Sequence, residues 1–128
     1  MSAGPAIRRL SQVSVNAHDL VRATEFYRDR LGLKHLFSGG TMAFFELAGV
    51  RLMLGLPERP EHDHPGSILY LDVADIGASH RALEACGVRF EREPHLIATL
   101  ATTDLWMAFF RDSEGNLLAL SSEVARPA

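Results

Sequence analysis

Apolar and polar residues alternate near the start of the chain and then change to helical spacing. Over residues 8–16, Val13 and Val15 alternate with polar neighbours, which predicts a strand with one apolar face. A helix is predicted to begin at the N-cap Asp19 and to end at Gly32. Its apolar positions are Leu20, Ala23, Tyr27 and Leu31.

Three short apolar segments follow this helix and are separated by glycine-containing turns. We predict strands over residues 33–37, 41–47 and 50–56, with turns at Gly39-Gly40 and Ala48-Gly49. The first half of the chain therefore has the order β-α-β-β-β.

The second half repeats this order after a linker at residues 57–66, which is rich in proline and charge. Strands are predicted over residues 67–73, 88–92, 105–111 and 116–122, with a helix that begins at Asp75. A long loop at residues 93–104 separates two of these strands and is a candidate lid.

An internal duplication explains the repeated order. The string Met-Ala-Phe-Phe occurs at residues 42–45 and again at 107–110. The offset between the halves grows from 56 positions (Asp19 to Asp75) to 65 (Met42 to Met107), so the second half carries about nine extra residues. We expect one domain over residues 1–128, with modules at 7–56 and 67–123.

Composition limits the classes of function. The net charge of −3 argues against nucleic acid as a partner, and no apolar run is long enough to cross a bilayer or to form a signal peptide. A cytoplasmic location is expected. Cys86 is the single cysteine, so an intrachain disulfide is impossible, and we expect it to pack in the core. His80 is expected at the surface.

Two motifs carry a family resemblance. Asp19-Leu20, Ala23, Phe26-Tyr27 and Leu31-Gly32 resemble "D-L-x-x-A-x-x-F-Y-x-x-x-L-G", and residues 110–118 resemble "F-x-D-P-D-G-N-x-x". Both motifs are similar to those of the vicinal oxygen chelate superfamily, which includes glyoxalase I, extradiol dioxygenases and bleomycin resistance proteins. The resemblance implies an α+β fold. Two tandem β-α-β-β-β modules would form a curved, cup-like mixed sheet with helices on its convex face.

Metal-dependent members of this family hold a divalent ion with four side chains on the cup floor. The corresponding positions here are Gln12, Ile68, Met53 and Ala119. Only Gln12 offers an oxygen or nitrogen donor, so we predict a cup without a metal or other cofactor. A divalent metal held by Gln12 with Glu46 or His95 is the alternative.

The alternation of side chains between the two faces of each strand also indicates candidate ligand-binding residues. Side chains on the concave face are expected to contact a small molecule, and Arg51 suits a carboxylate or enolate oxygen. Trp106 is expected to form an aromatic wall beside the long loop, and His95 is a candidate acid or base. The proposed ligand-binding residues are Gln12, Ser14, Asn16, Arg51, Met53, Tyr70, Trp106, Ala119 and Ser121.

These features favour a small-molecule-binding protein of the glyoxalase/bleomycin-resistance type, with an apolar or aromatic ligand. One alternative is a metal-dependent lyase, isomerase or dioxygenase of the same superfamily. A second is a resistance protein that sequesters a drug. The resemblance also implies a homodimer, and the sequence leaves open whether the protein is an enzyme.

Overall fold

Two four-stranded sheets make up the computed structural model, which describes residues 4–127. The first half contains β1 (Gln12–Asn16), α1 (Leu20–Glu25), β2 (Lys34–Gly39), β3 (Met42–Leu47) and β4 (Val50–Gly55). The second half contains β5 (Leu69–Asp72), α2 (Ile76–Ala85), β6 (His95–Thr99), β7 (Thr103–Arg111) and β8 (Leu117–Ala125). A short 3-10 turn at Pro60–His62 lies in the linker.

Both sheets have the same topology. The strand orders are β1-β4-β3-β2 and β5-β8-β7-β6, and in each sheet the first and last strands of the half pair in parallel. The other pairs are antiparallel hairpins. The predicted α+β class and the β-α-β-β-β order are therefore confirmed.

Local signals at the helix ends act as predicted. The Asp19 carboxylate accepts a hydrogen bond from the Arg22 N–H at 3.1 Å, and that of Asp75 accepts one from Ala78 at 3.0 Å. Gly32 and Gly87 follow the helices with φ of 73° and 86°, values that favour glycine. Helix α1 continues as a π-helical turn over Phe26–Arg30.

The core lies between the helices and one face of each sheet. Tyr27, Phe45 and Phe110 are fully buried, and the Tyr27 ring lies 6.1 Å from that of Phe45. Residues from both halves join one buried cluster. The last residue of each Met-Ala-Phe-Phe string is therefore a core residue.

The prediction of a loop at residues 93–104 is wrong, because β6 and the start of β7 form a hairpin over most of these residues. Strand β6 (His95–Thr99) pairs with the start of β7, and only Phe90 of the predicted strand 88–92 forms a bridge, to Phe110. Strands β7 and β8 have nine residues each, where β3 and β4 have six. The extra residues of the second half therefore extend the hairpin of β6 and β7. The candidate lid is not present as a loop.

The two helices of residues 4–127 are both too short to cross a membrane.

Candidate functional site

The face of the first sheet that points away from α1 carries most of the predicted binding residues. In the register of β1 and β4, Gln12 lies opposite Arg51 and Ser14 lies opposite Met53. Asn16 continues the same face, while the alternate residues of both strands enter the core. We call this surface the first cup face.

An aromatic and cationic group occupies part of the first cup face. The Arg51 guanidinium carbon lies 5.6 Å from the centroid of the Phe44 ring, and Phe44 stacks on Phe37 at 4.5 Å. The Arg51 Nε donates to Gln12 Oε1 at 2.8 Å. Arg51 is therefore a positioned cation beside two aromatic rings, although its side chain remains open to solvent.

The second sheet has an equivalent surface, the second cup face, on the side away from α2. Tyr70 lies opposite Ala119, and Ser121 lies on the same face of β8. The Tyr70 ring meets that of Phe109 edge to face at 6.1 Å, and His95 lies 6.3 Å from Phe109 on the other side. Phe109 and Phe44 are the third residues of the two Met-Ala-Phe-Phe strings, so the duplication places an aromatic ring on each cup face.

Trp106 lies away from the cup faces. It pairs in register with Ser122, which is buried, and its side chain packs against the hydrophobic core. Its neighbour Met107 lies on the second cup face opposite His95. The prediction that Trp106 forms a wall of the cup is wrong because β6 pairs with this part of β7, which fixes the register and turns the indole to the helix side.

The four cup-floor positions are occupied by Gln12, Ile68, Met53 and Ala119. The register of the two sheets supports the equivalence of Met53 with Ala119, because Met53 pairs with Ser14 as Ala119 pairs with Tyr70. Ile68 and Ala119 offer no donor, and the Met53 sulfur is a weak ligand for a hard cation. The one amide, Gln12, already accepts from Arg51.

A cavity of about 630 Å³ lies between β1 of the first sheet and the starts of β5 and β8 of the second. Ser14 and Asn16 line it from β1 and Leu117 lines it from β8. The linker at residues 62–68 and the turn after β7 form the remaining walls. The cavity is within the usual size range for small-molecule sites. The other predicted binding residues do not line it: they are Gln12, Arg51, Met53, Tyr70, Trp106, Ala119, Ser121 and the candidate catalytic residue His95.

Hydrogen bonds hold the linker beside this cavity. The Asn16 amide donates to the carbonyl oxygens of His62 and His64 at 2.7 and 3.3 Å. His18 Nε2 lies 2.7 Å from a carboxylate oxygen of Asp63, and both residues line the cavity. Sequence patterns do not predict this His18–Asp63 pair, because the two residues are far apart in the chain and Asp63 lies in a linker.

Glu114 connects the turn after β7 to the start of α1. Its carboxylate accepts from the backbone N–H groups of His18 and Asp19 at 2.8 and 2.9 Å, and from Arg22 Nε at 2.7 Å. Burial raises the pKa of Glu114, but the hydrogen bonds from Arg22, Asp19, His18 and Ser113 outweigh it and lower the pKa from 4.5 to about 2. Glu114 is therefore an ionised structural residue on the cavity wall.

Asp112 forms a second connection between the halves. Its buried carboxylate accepts from the Tyr27 hydroxyl at 2.7 Å and from the backbone N–H groups of Glu114 and Asn116. Burial, followed by the Asp112 charge, raises the pKa of Tyr27 well above its usual value. The Asn116 amide also donates to Asn16 O at 2.8 Å. The second sequence motif thus acts as a contact between modules beside the cavity.

Comparison with known proteins identifies similar families and folds. The model of the Glyoxalase/Bleomycin resistance protein/Dioxygenase superfamily matches residues 9–120. No curated protein matches the chain.

Solved structures show the same fold at low sequence identity. A member of the glyoxalase/bleomycin resistance protein/dioxygenase superfamily from Sphaerobacter thermophilus is 24% identical, with a TM-score of 0.77 and coverage of 91% of this chain and 98% of its own. A V. cholerae integron cassette protein is 22% identical, with a TM-score of 0.75 and coverage of 91% and 95%. Lactoylglutathione lyase from Agrobacterium tumefaciens is 21% identical, with a TM-score of 0.73 and coverage of 93% and 95%.

Proposed function

Because the chain belongs to the Glyoxalase/Bleomycin resistance protein/Dioxygenase superfamily, we propose that it binds a small apolar or aromatic molecule in the cavity between its two sheets. The observation that carries this proposal is the cavity of about 630 Å³ lined by residues of both sheets. Its walls combine apolar side chains such as Leu117 with polar groups of Ser14 and Asn16, the mixture typical of ligand sites.

Exposed aromatic rings on the two cup faces favour a planar ligand. Phe37 and Tyr70 are 53% and 52% exposed on the two cup faces, although aromatic side chains of this size are usually covered. Arg51 adds a cation on the first face, so an aromatic molecule with a carboxylate or another anionic group matches the surface best.

We further propose that this binding needs no metal on the cup floor. A Lewis-acid mechanism requires several oxygen or nitrogen donors around one point, and the floor offers only Gln12, which hydrogen-bonds to Arg51. The alternative metal ligands, Glu46 and His95, do not complete a donor set with Gln12. Glu46 accepts a hydrogen bond from Gly49 N at 2.6 Å in a turn, and His95 belongs to the other sheet. The family's metal-dependent lyase, isomerase and dioxygenase activities are therefore less well supported than binding.

A variant that fills the cavity with a larger side chain tests the proposal directly. Ser14 lies on the cavity wall with an exposed side chain, so Ser14→Phe should occupy the space without disturbing the core. We expect this variant to weaken binding of the fluorescent aromatic anion 8-anilinonaphthalene-1-sulfonate by about tenfold or more, roughly 1.4 kcal/mol.

The matched control is Ser11→Phe, at an exposed position that does not line the cavity. Its affinity for the probe should remain within about twofold of the original chain. Equal affinities for the two variants, with both folds intact by circular dichroism, would place the ligand elsewhere.

A homodimer is part of the proposal. Phe37, Met42 and Tyr70 are apolar, on the cup faces and more than a third exposed. A second copy of the chain placed over these faces would cover them and would close the cup around a ligand.

A further inference from the structure

A buried histidine lies on the opposite side of the second sheet from the cup. The His80 side chain is 4% exposed, and its ring lies 4.3 Å from that of Phe90. The expectation that His80 is a surface residue is wrong, because the segment around Phe90 covers this face of α2.

Two carboxylates converge on this imidazole. Glu84 Oε1, one helical turn after His80, lies 3.5 Å from His80 Nδ1, and Glu93 Oε2 lies 3.9 Å from the same nitrogen. Both separations exceed the 2.7–3.2 Å of a good N–H···O hydrogen bond. Within residues 4–127, no lysine or arginine forms an ion pair with either carboxylate. Among the described residues, His80 is therefore the basic side chain that lies within 4 Å of both carboxylates.

The spacing of the three donor atoms fits a metal ion better than it fits hydrogen bonds. One nitrogen and two carboxylate oxygens all lie within 4.8 Å of one another. Zinc binds such ligands at about 2.0–2.1 Å in a tetrahedron, which separates neighbouring donors by roughly 3.3 Å. The upper bound of 4.8 Å on the donor separations exceeds this spacing by about 1.5 Å, and the Glu93 side chain, which is 85% exposed, is free to move by that amount.

We propose that His80, Glu84 and Glu93 bind one divalent transition-metal ion of the Zn²⁺ type, with water as the fourth ligand. The two carboxylates neutralise the ion, and the imidazole supplies the donor that distinguishes Zn²⁺ from Ca²⁺ or Mg²⁺. The ion joins α2 to the segment before β6. This site is separate from the cup floor and does not depend on the function proposed for the cup.

Zinc titration of the untagged, full-length chain tests the proposal. After treatment with chelator and dialysis, we expect isothermal titration calorimetry to show one saturable Zn²⁺ site. Glu84→Gln and Glu93→Gln should each weaken it at least tenfold. Both positions are partly exposed, so these variants avoid the risk to folding that a change of the buried His80 would carry.

The matched control is Glu91→Gln, which makes the same change of charge two residues before Glu93. Its carboxylate pairs instead with Arg111 at 3.2 Å. Zinc affinity of this variant should stay within about twofold, because surface charge alone contributes little to a directional metal site. Co²⁺ should give a visible absorption band that disappears in Glu93→Gln, since this band reports direct coordination.

Three results would overturn the proposal. The first is the absence of stoichiometric zinc binding, which would leave His80 as a buried histidine with a structural role beside two carboxylates. The second is an equal loss of affinity in Glu91→Gln. The third is loss of zinc binding in Gln12→Ala with retention in Glu93→Gln, which would place the ion on the cup floor and would also contradict the metal-free cup.

Discussion

Glu114 shows how one residue can serve two parts of the molecule. Its side chain is 1% exposed, and every hydrogen bond that it makes to the first module reaches the start of α1. A carboxylate at this position also interacts favourably with the positive end of a helix. The residue therefore stabilises α1 and the contact between modules at the same time.

Replacement of Glu114 by Gln should destabilise the chain in a pH-dependent way. The folded pKa of about 2 lies below the ordinary value of 4.5, so ionised Glu114 stabilises the fold above about pH 4.5, and this contribution disappears as the pH falls toward 2. We expect a loss of about 2–3 kcal/mol at pH 7 that shrinks toward zero near pH 2, measured by urea unfolding across pH.

Glu61→Gln serves as the control for this experiment. Glu61 is 68% exposed and forms an ion pair with Arg59 at 3.5 Å. The change should cost less than about 0.5 kcal/mol at any pH. A cost for Glu114→Gln that does not vary between pH 2 and 7 would show that shape, rather than charge, accounts for the stabilisation.

Arg51→Ala should separate charge from aromatic contact on the first cup face. Because Arg51 lies beside Phe44 on the first cup face but does not line the cavity, its removal should weaken an anionic aromatic probe through charge alone, by about twofold to threefold, while a neutral aromatic dye binds almost as before. Fluorescence titration measures both. Arg28→Ala, which removes an exposed cation paired with Asp29 on the first helix, is the control. Identical affinities of Arg51→Ala and Arg28→Ala for the anionic probe would show that Arg51 does not contribute to binding.

At the scale of elements, the two helices end by the same device. Gly32 and Gly87 have φ values of 73° and 86°, which side chains with a Cβ adopt only with strain. Gly32→Ala and Gly87→Ala should therefore each cost about 1 kcal/mol in thermal or urea unfolding. Gly66→Ala in the linker has open space and no such backbone strain, so it should be nearly neutral. A neutral Gly32→Ala would contradict this account of helix termination.

The sequence predicts those elements whose signals are local. The caps Asp19 and Asp75, the two helix-ending glycines and the alternation in β1 and β4 depend on neighbouring residues, and the structure contains all of them. The hairpin of β6 and β7 joins neighbouring segments, but a register shift between Leu96 and Ala98 interrupts the alternation that marks a strand. Its residues therefore resembled a loop.

The candidate site, like the fold, was predictable only where the signal is local. Alternation correctly grouped Ser14, Arg51 and Met53 on one face, because a strand's period fixes the side of each residue. The cavity wall contributed by the linker, the inward turn of Trp106 and the exposure of Cys86 depend on how distant segments pack. The sequence alone does not specify those contacts.

At the scale of the whole molecule, apolar residues on the cup faces should drive association. We expect analytical ultracentrifugation to show a dimer and Phe37→Glu to shift it toward the monomer, since a buried unpaired charge is costly at an interface. Val21→Glu is the control, because Val21 is 70% exposed on α1, away from the cup faces. A stable monomer at micromolar concentration, or equal dissociation by both variants, would contradict the proposed closure of the cup.

Within residues 4–127, the contact that Glu114 makes from the second module to the first has no counterpart from the first module to the second. Gly115 and Gly49 correspond, with φ of 85° and 88°, so the position that matches Glu114 is Ala48, which carries no carboxylate. The two duplicated halves therefore no longer make the same contact with each other. If the chain were cleaved within its linker, the unlike fragments should recombine with one another, whereas two copies of either fragment would lack one side of this contact. The halves have diverged into complementary, non-interchangeable parts.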